Sequence, residues 1–460
     1  MVLTIWAALF LISAFAPVRW SMVAFLCLSV VDFESGRGAV GGLNMLKGLV
    51  LPVYLLWRLR RYSGHQSLPL APIGWLLLVT YVGVATTWSL FPESAEKLVV
   101  QMSASFLIAC VFIRATKGGF LTAKTAVTAA IGCVALGLIR SAFFPKWGDD
   151  PARFTGFTTA QAYAALLAAC YCIVLCGKGL RTSTRIVACS LIAGAIVMDG
   201  SRIWFMGILL ATLLSLLLSK GQVWLKICAF AAIAGLVAVF VGASDYLFKY
   251  VAAGATGNRI ASAVTALHQG DRQSTGLGTF NFRRAINDEA IRRLKNSSAL
   301  DLLFGRGTCN GAIITGTLFS RSYAKFSDPN RMFHNEWLRV IYEWGLLGSL
   351  FWLLFIGSTI RYAIRGFQLD PKGNAKPLLV YLPAFLFGLA GENIIAGAAT
   401  AANMGLILTV ALSTVPHREF LNWKAARAAQ KLAHNRQLRQ QQMDPGQWAP
   451  PIQARSASHG

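Results

Sequence analysis

An all-α integral membrane protein of about twelve spanning helices, with one large, partly helical loop outside the cytoplasm, is the fold class that three features predict. Of the 460 residues, 55% are hydrophobic and only 13% charged, with a mean hydropathy of +0.54. A soluble domain of this length needs a far more polar surface. Apolar runs of about 15 to 22 residues recur from end to end, the length that crosses a hydrocarbon core. The short hydrophilic breaks between the runs alternate in charge, as the positive-inside rule requires of a multispanning chain.

The elements follow in order. Residues 1–31 are divided by Pro17 and Arg19 into two short apolar pieces, read here as one bent span, with two separate spans as the alternative. Met1 to Ala16 has no basic start, so a cleavable signal peptide is not expected. Spans are predicted at 40–57, 72–90, 98–113, 125–140, 159–176, 186–198, 203–219, 223–242, 337–360, 378–391 and 403–415. Breaks holding Arg58, Arg60 and Arg61, then Lys178, Arg181 and Arg185, then Arg361, Arg365, Lys372 and Lys376 are placed in the cytoplasm. Those holding Glu93 and Glu96, Asp149 and Asp150, and Asp199 are placed outside it. The domain organisation is therefore an N-terminal set of spans (1–242), a large loop (243–333), a C-terminal set (334–415) and a basic cytoplasmic tail (416–460). The formal net charge of +24 follows this alternation, which argues against nucleic acid as the partner and for membrane lipids.

The large loop carries twelve Lys and Arg against six Asp and Glu. Long loops escape the charge rule, so this surplus is compatible with an external position. Within it, Phe282, Ala285, Ile286, Ala290 and Leu294 fall on one helical face, with Asn281 as the expected N-cap. Asp288–Arg292 and Glu289–Arg293 are the expected i,i+4 pairs. Cys309 stands alone in this loop, so no disulfide framework is implied; Cys170, Cys172 and Cys176 lie in one apolar run and read as packing residues. No Asp-x-Asp pair lies on the outer side, so a divalent-metal transferase is not expected, and no cofactor is implied.

The string from Phe333 through His334, Asn335, Glu336, Trp337, Leu338, Arg339, Tyr342, Glu343, Trp344 and Gly345 closes the loop and opens a span. At helical spacing Glu336, Arg339 and Glu343 can pair, and three charges there point to turns above the hydrocarbon or lining a wet cavity. Taken alone, a histidine at a helix entry such as His334 is more often a cap or interfacial residue than a catalytic one. His-Asn-x-x-Leu, followed by Glu-x-Gly-Leu-Leu-Gly after a long external loop, resembles the O-antigen ligase and polysaccharide polymerase superfamily. Two further stretches resemble it: Ser201-Arg202 before a span, and Leu302-Leu303-Phe304-Gly305-Arg306-Gly307 about twenty residues after Arg283. The tryptophan that the family pattern has shortly after the loop arginine is missing.

The resemblance implies a glycosyltransferase of the bacterial inner membrane, moving a glycan from undecaprenyl diphosphate to an acceptor hydroxyl at the periplasmic face. It implies His334, Arg202 and Arg283 as catalytic residues, and Arg284, Asn335, Glu336, Arg339 and Arg272 as substrate-binding ones. A histidine titrating near neutrality suits removal of the acceptor proton, and arginine suits a departing diphosphate. Gly305-x-Gly307 reads either as a tight turn or as amides offered to phosphate. The expected reaction is metal-independent repeat-unit polymerisation of O-antigen or exopolysaccharide, with a chain-length regulator as a further partner. Ligation to lipid A-core is the second reading, and a lipid-linked oligosaccharide flippase, from another class, the third.

Overall fold

The computed structural model describes residues 1–32, 41–62, 71–144, 154–177, 179–218, 278–314, 335–369, 375–391 and 399–413, with a few positions in the tail. The span expected at 223–242, most of the loop's first half, residues 315–334 and the amphipathic part of the tail lie outside the described residues. The described chain is helical, with an isolated bridge between Val31 and Phe157.

The N-terminal residues form α1 (Val2–Phe15) and α2 (Val18–Ser29), separated at Ala16-Pro17. These two helices pack against each other. They are therefore a hairpin, not the single bent span expected above. Proline explains the break, because it has no N–H to continue the ladder and disfavours helical geometry in Ala16 before it. Arg58 holds the turn, donating from Nη1 to Ala14 O (2.7 Å) and from Nη2 to Ala16 O (2.5 Å).

A continuous helical segment follows as α3 (Gly41–Met45), a π turn (Leu46–Val50) and α4 (Leu51–Leu59). Pro52 accounts for the wide turn: it cannot donate to Gly48 four residues back and its ring crowds that carbonyl. At this turn Lys47 is buried and pairs with Asp32, whose other oxygen accepts from Thr158 (2.8 Å). Next come α5 (Ala71–Ala85) with a 3-10 turn (Thr86–Trp88), α6 (Pro92–Lys117) and α7 (Ala123–Phe143). In α6 the ends suit the helix dipole, with Pro92 and Glu93 in the first turn and Arg114 and Lys117 in the last. Thr122 caps α7 through its hydroxyl, which accepts from Thr125 N.

Then α8 (Ala160–Cys176), α9 (Thr182–Asp199) and α10 (Arg202–Leu217) complete the N-terminal set. Gly200, at φ 72°, ends α9 in the left-handed conformation that lets α10 start two residues later. In the loop lie α11 (Gly278–Lys295) and α12 (Ala299–Phe304). The C-terminal set is α13 (Glu336–Leu369), α14 (Ala375–Gly391) and α15 (Ala399–Leu412).

At the centre is α8, buried on every side from Ala162 to Cys170, as expected of a helix that is apolar all round. It touches α7, α9, α10, α14 and α15. Small residues allow these approaches: Ala165 and Ala169 of α8 lie under Gly405 of α15, and Ala384 of α14 under Gly207 of α10. The opposite surface is apolar too, with Leu346, Leu350, Leu353 and Leu354 of α13 and Ile186, Val187 and Met198 of α9 exposed. Among the described residues four helices are long and apolar enough to cross a bilayer (α6, α7, α9 and α13), and several shorter apolar helices pack with them. An apolar core inside an apolar surface is the signature of a helical integral membrane protein.

Candidate active site

The site is built on a break in α13. Hydropathy runs on through this helix, but Gly345 has φ 61° and ψ −161°, so a short segment from Glu336 to Trp344 meets a longer one at an angle. A break frees the carbonyls before it, and these need donors where water is scarce. They find them in the loop: Arg306 N donates to Tyr342 O (3.1 Å) and Gly307 N to Glu343 O (2.9 Å). Close approach is essential to this contact. A β-carbon at Gly345 would collide with Gly305 N and Leu303 O, and one at Gly305 with the Glu343 carbonyl. The amides of Arg306 and Gly307 are thus committed to α13 and that of Gly305 to Asp301 O, which removes the reading in which they bind phosphate.

On the other side of the same segment, three charges form a fully buried chain. Arg339 donates from Nη1 to Glu336 Oε2 (3.4 Å) and from Nε to Glu343 Oε2 (3.1 Å). Glu343 also accepts from the backbone of the loop, from Cys309 N (3.0 Å) and Gly311 N (3.1 Å). With Gly305 N on Asp301 O, Thr308 N on Ala85 O and Asn310 N on Gly307 O, every backbone N–H from Gly305 through Gly311 has an acceptor. The loop is thereby locked to α13 and α5. Cys309 takes a positive φ of 69° to aim its N–H at Glu343, and burial pushes its thiol pKa up, so it is not poised as a nucleophile. Glu336 and Arg339 are therefore not at a wet edge, as expected above, but inside the frame that holds the segment.

Helix α11 docks against that segment through Ile286 and Ala290, which are buried with Tyr342 and Ile314 beside Leu338 and Leu294. The apolar face read from the sequence is the one that packs. The helix begins at Gly278, however, so Asn281 lies inside it and is not its cap. Glu289 bonds both Arg292 (2.7 Å) and Arg293 (2.8 Å), while Asp288 faces Arg284 at 3.7 Å in place of Arg292. These two hydrogen bonds hold the Glu289 carboxyl at a pKa of about 2. Arg293 also bonds Tyr342, and the Arg306 guanidinium lies 5.5 Å over the Tyr342 ring.

The structure brings some of the expected residues together. Asn335 caps the broken segment, its Oδ1 accepting from Leu338 N (3.2 Å), and it fixes the chain immediately after His334. Arg283 is half-buried on α11, the helix that packs on this segment, whereas Arg284 is exposed. Arg202 opens α10, which packs on α14, as does α13, so the two elements share a neighbour. His334 and Arg272 lie outside the described residues, as does the Arg202 side chain. Sequence reasoning passed over Glu343 as a lock and Tyr342 as the seat of α11. Their signal was weak, since the partners lie some thirty residues upstream of Glu343 and fifty upstream of Tyr342. Arg140, fully buried near the end of α7, was also passed over.

Residues 187–353, from within α9 to within α13, match a family model described as O-antigen ligase. No curated protein matches the chain.

Proposed function

We propose that this member of the O-antigen ligase/polymerase superfamily is a repeat-unit polymerase acting on undecaprenyl-diphosphate-linked glycans at the periplasmic face of the inner membrane. The observation that carries the reading is the locked segment of α13. It gives Asn335, the residue that follows His334 in the sequence, a rigid mount beside the helix bearing Arg283. A reacting group needs that placement more than it needs strength, because sub-ångström misplacement is costly in rate.

In this reading the acceptor hydroxyl attacks the anomeric carbon of the donor glycan. His334 takes the hydroxyl proton as the new C–O bond forms. The bond from that carbon to the diphosphate breaks, and the diphosphate leaves on the polyprenyl carrier. Arg202, Arg283, Arg284 and Arg272 are the arginines proposed to meet its charge with bidentate hydrogen bonds. Asn335, Glu336 and Arg339 act through position, with Glu343 as the residue that ties them to the loop. Fixed positive charge supplies what a divalent ion would otherwise supply, so the transfer is proposed to run in excess chelator.

The description of the matched family favours one second reading, ligation of finished glycan to lipid A-core. A single comparison separates the two. Purified polymerase lengthens a lipid-linked repeat without lipid A, and its deletion strain accumulates single repeats. A strain that builds long chains stranded on the carrier would make the protein a ligase.

A further inference from the structure

We propose that α12 and the turn after it are an interfacial lipid anchor, seated against bilayer phospholipids on the side of the long loop. The inference rests on the membrane placement of α5 and α13 and is independent of the transferase reading.

Position is the first observation. The Phe304 carbonyl accepts a hydrogen bond from Tyr81 Oη (2.7 Å), and Thr308 Oγ1 donates to Val82 O (2.9 Å). Both partners lie in the last turn of α5, which ends at Ala85. Gly305 and Gly307 contact α13 at its break. The turn after α12 therefore packs against the end of one apolar helix and the break in another.

The second observation is hydrogen bonding. Irregular backbone at membrane depth survives only where its polar groups are satisfied internally. The unbroken set of bonded donors from Gly305 through Gly311 meets that demand.

Chemistry of the surface is the third. Leu300, Leu302, Leu303 and Phe304, four of the six residues of α12, are 69%, 37%, 45% and 41% exposed. Exposed apolar clusters of this kind mark a contact surface. Leu300 and Phe304 line one groove of about 620 Å³ with the exposed Val84 of α5, Leu347 of α13, Tyr81, Trp88 and Asp301. Trp88 and Tyr81 are the aromatic types that settle at a membrane interface. Exposed Lys295, at the end of α11, suits the phosphates of lipid headgroups.

Spin labels on the full chain in phosphatidylethanolamine–phosphatidylglycerol vesicles test this. Single introduced cysteines, Leu300→Cys and Leu303→Cys, are compared with Asn296→Cys on the exposed end of the loop, each after subtraction of labelled wild type. The ratio of collision with oxygen to collision with a water-soluble nickel chelate is expected to be several-fold higher at 300 and 303 than at 296. Equal ratios at the three sites would place α12 in water and overturn the proposal. Sites sealed from both reagents would also overturn it, by showing that protein and not lipid covers the patch.

Discussion

Two clusters in this protein are spelled almost alike. On α11, Glu289 meets Arg292 and Arg293 at i,i+3 and i,i+4; on α13, Arg339 meets Glu336 and Glu343 at the same spacings. In the first, Arg292 stands in solvent at 64% exposed, with Glu289 and Arg293 at 15% and 23%, whereas the second is fully buried. Spacing decides that such residues pair, but the surroundings decide what the pair is worth. In water the ions are screened and already well solvated, so pairing adds little. In the interior each ion has lost its water, and removing one partner strands the others. The α13 cluster differs further in having backbone amides of another element among its donors. It therefore sets the position of a loop, whereas the Glu289 carboxylate of the α11 cluster bonds within its own helix.

The comparison breaks most directly at Glu343. Glu343→Gln keeps the shape but cannot accept from Arg339, Cys309 and Gly311 together. It should cost about 3–5 kcal/mol, read as a lower unfolding midpoint in detergent, and should abolish glycan transfer. A midpoint and activity like wild type would mean that the buried charges do not hold the frame.

A second, smaller effect concerns the glycine at the break. Gly345→Ala should cost about 1–3 kcal/mol from backbone strain, with further loss because the new methyl meets backbone atoms of Gly305 and Leu303. Gly357, in the same helix, has open space at its β-position, so Gly357→Ala should be neutral. Equal effects of the two substitutions would remove the break from the account.

The smallest effect is expected on the exposed side. Glu289→Gln should leave folding and transfer at wild-type levels at neutral pH. The Glu289 carboxyl is held down to about 2 by Arg292 and Arg293, so its pairing is complete above the ordinary glutamate range. It is lost only as pH falls from that range toward 2. A titration of α11 helicity that changed between neutral and mildly acidic pH would contradict this assignment.

These contrasts show what was legible in the sequence. Hydropathy located the described helices closely, from 40–57 to 403–415, because length and apolarity are local properties. The apolar face of α11 was legible for the same reason, and so was the pairing of Glu336, Arg339 and Glu343. Burial of those charges was not, since the groups that bury them come from Thr308 to Gly311, far along the chain. The break at Gly345 was hidden by unbroken hydropathy; glycine is common in membrane helices, and only the facing Gly305 makes this one special. The N-terminal hairpin was missed because Pro17 allows a bend or a turn alike, and Arg58 decides between them from another helix.

The central claim is the proposal that His334, next in sequence to the locked segment of α13, is the base for glycan transfer. Its most direct test is elongation of a lipid-linked repeat by purified wild type and by His334→Ala, with insertion and unfolding midpoint measured on both. The account predicts that His334→Ala inserts and unfolds like wild type but forms no product. Product at the wild-type rate from His334→Ala would contradict it.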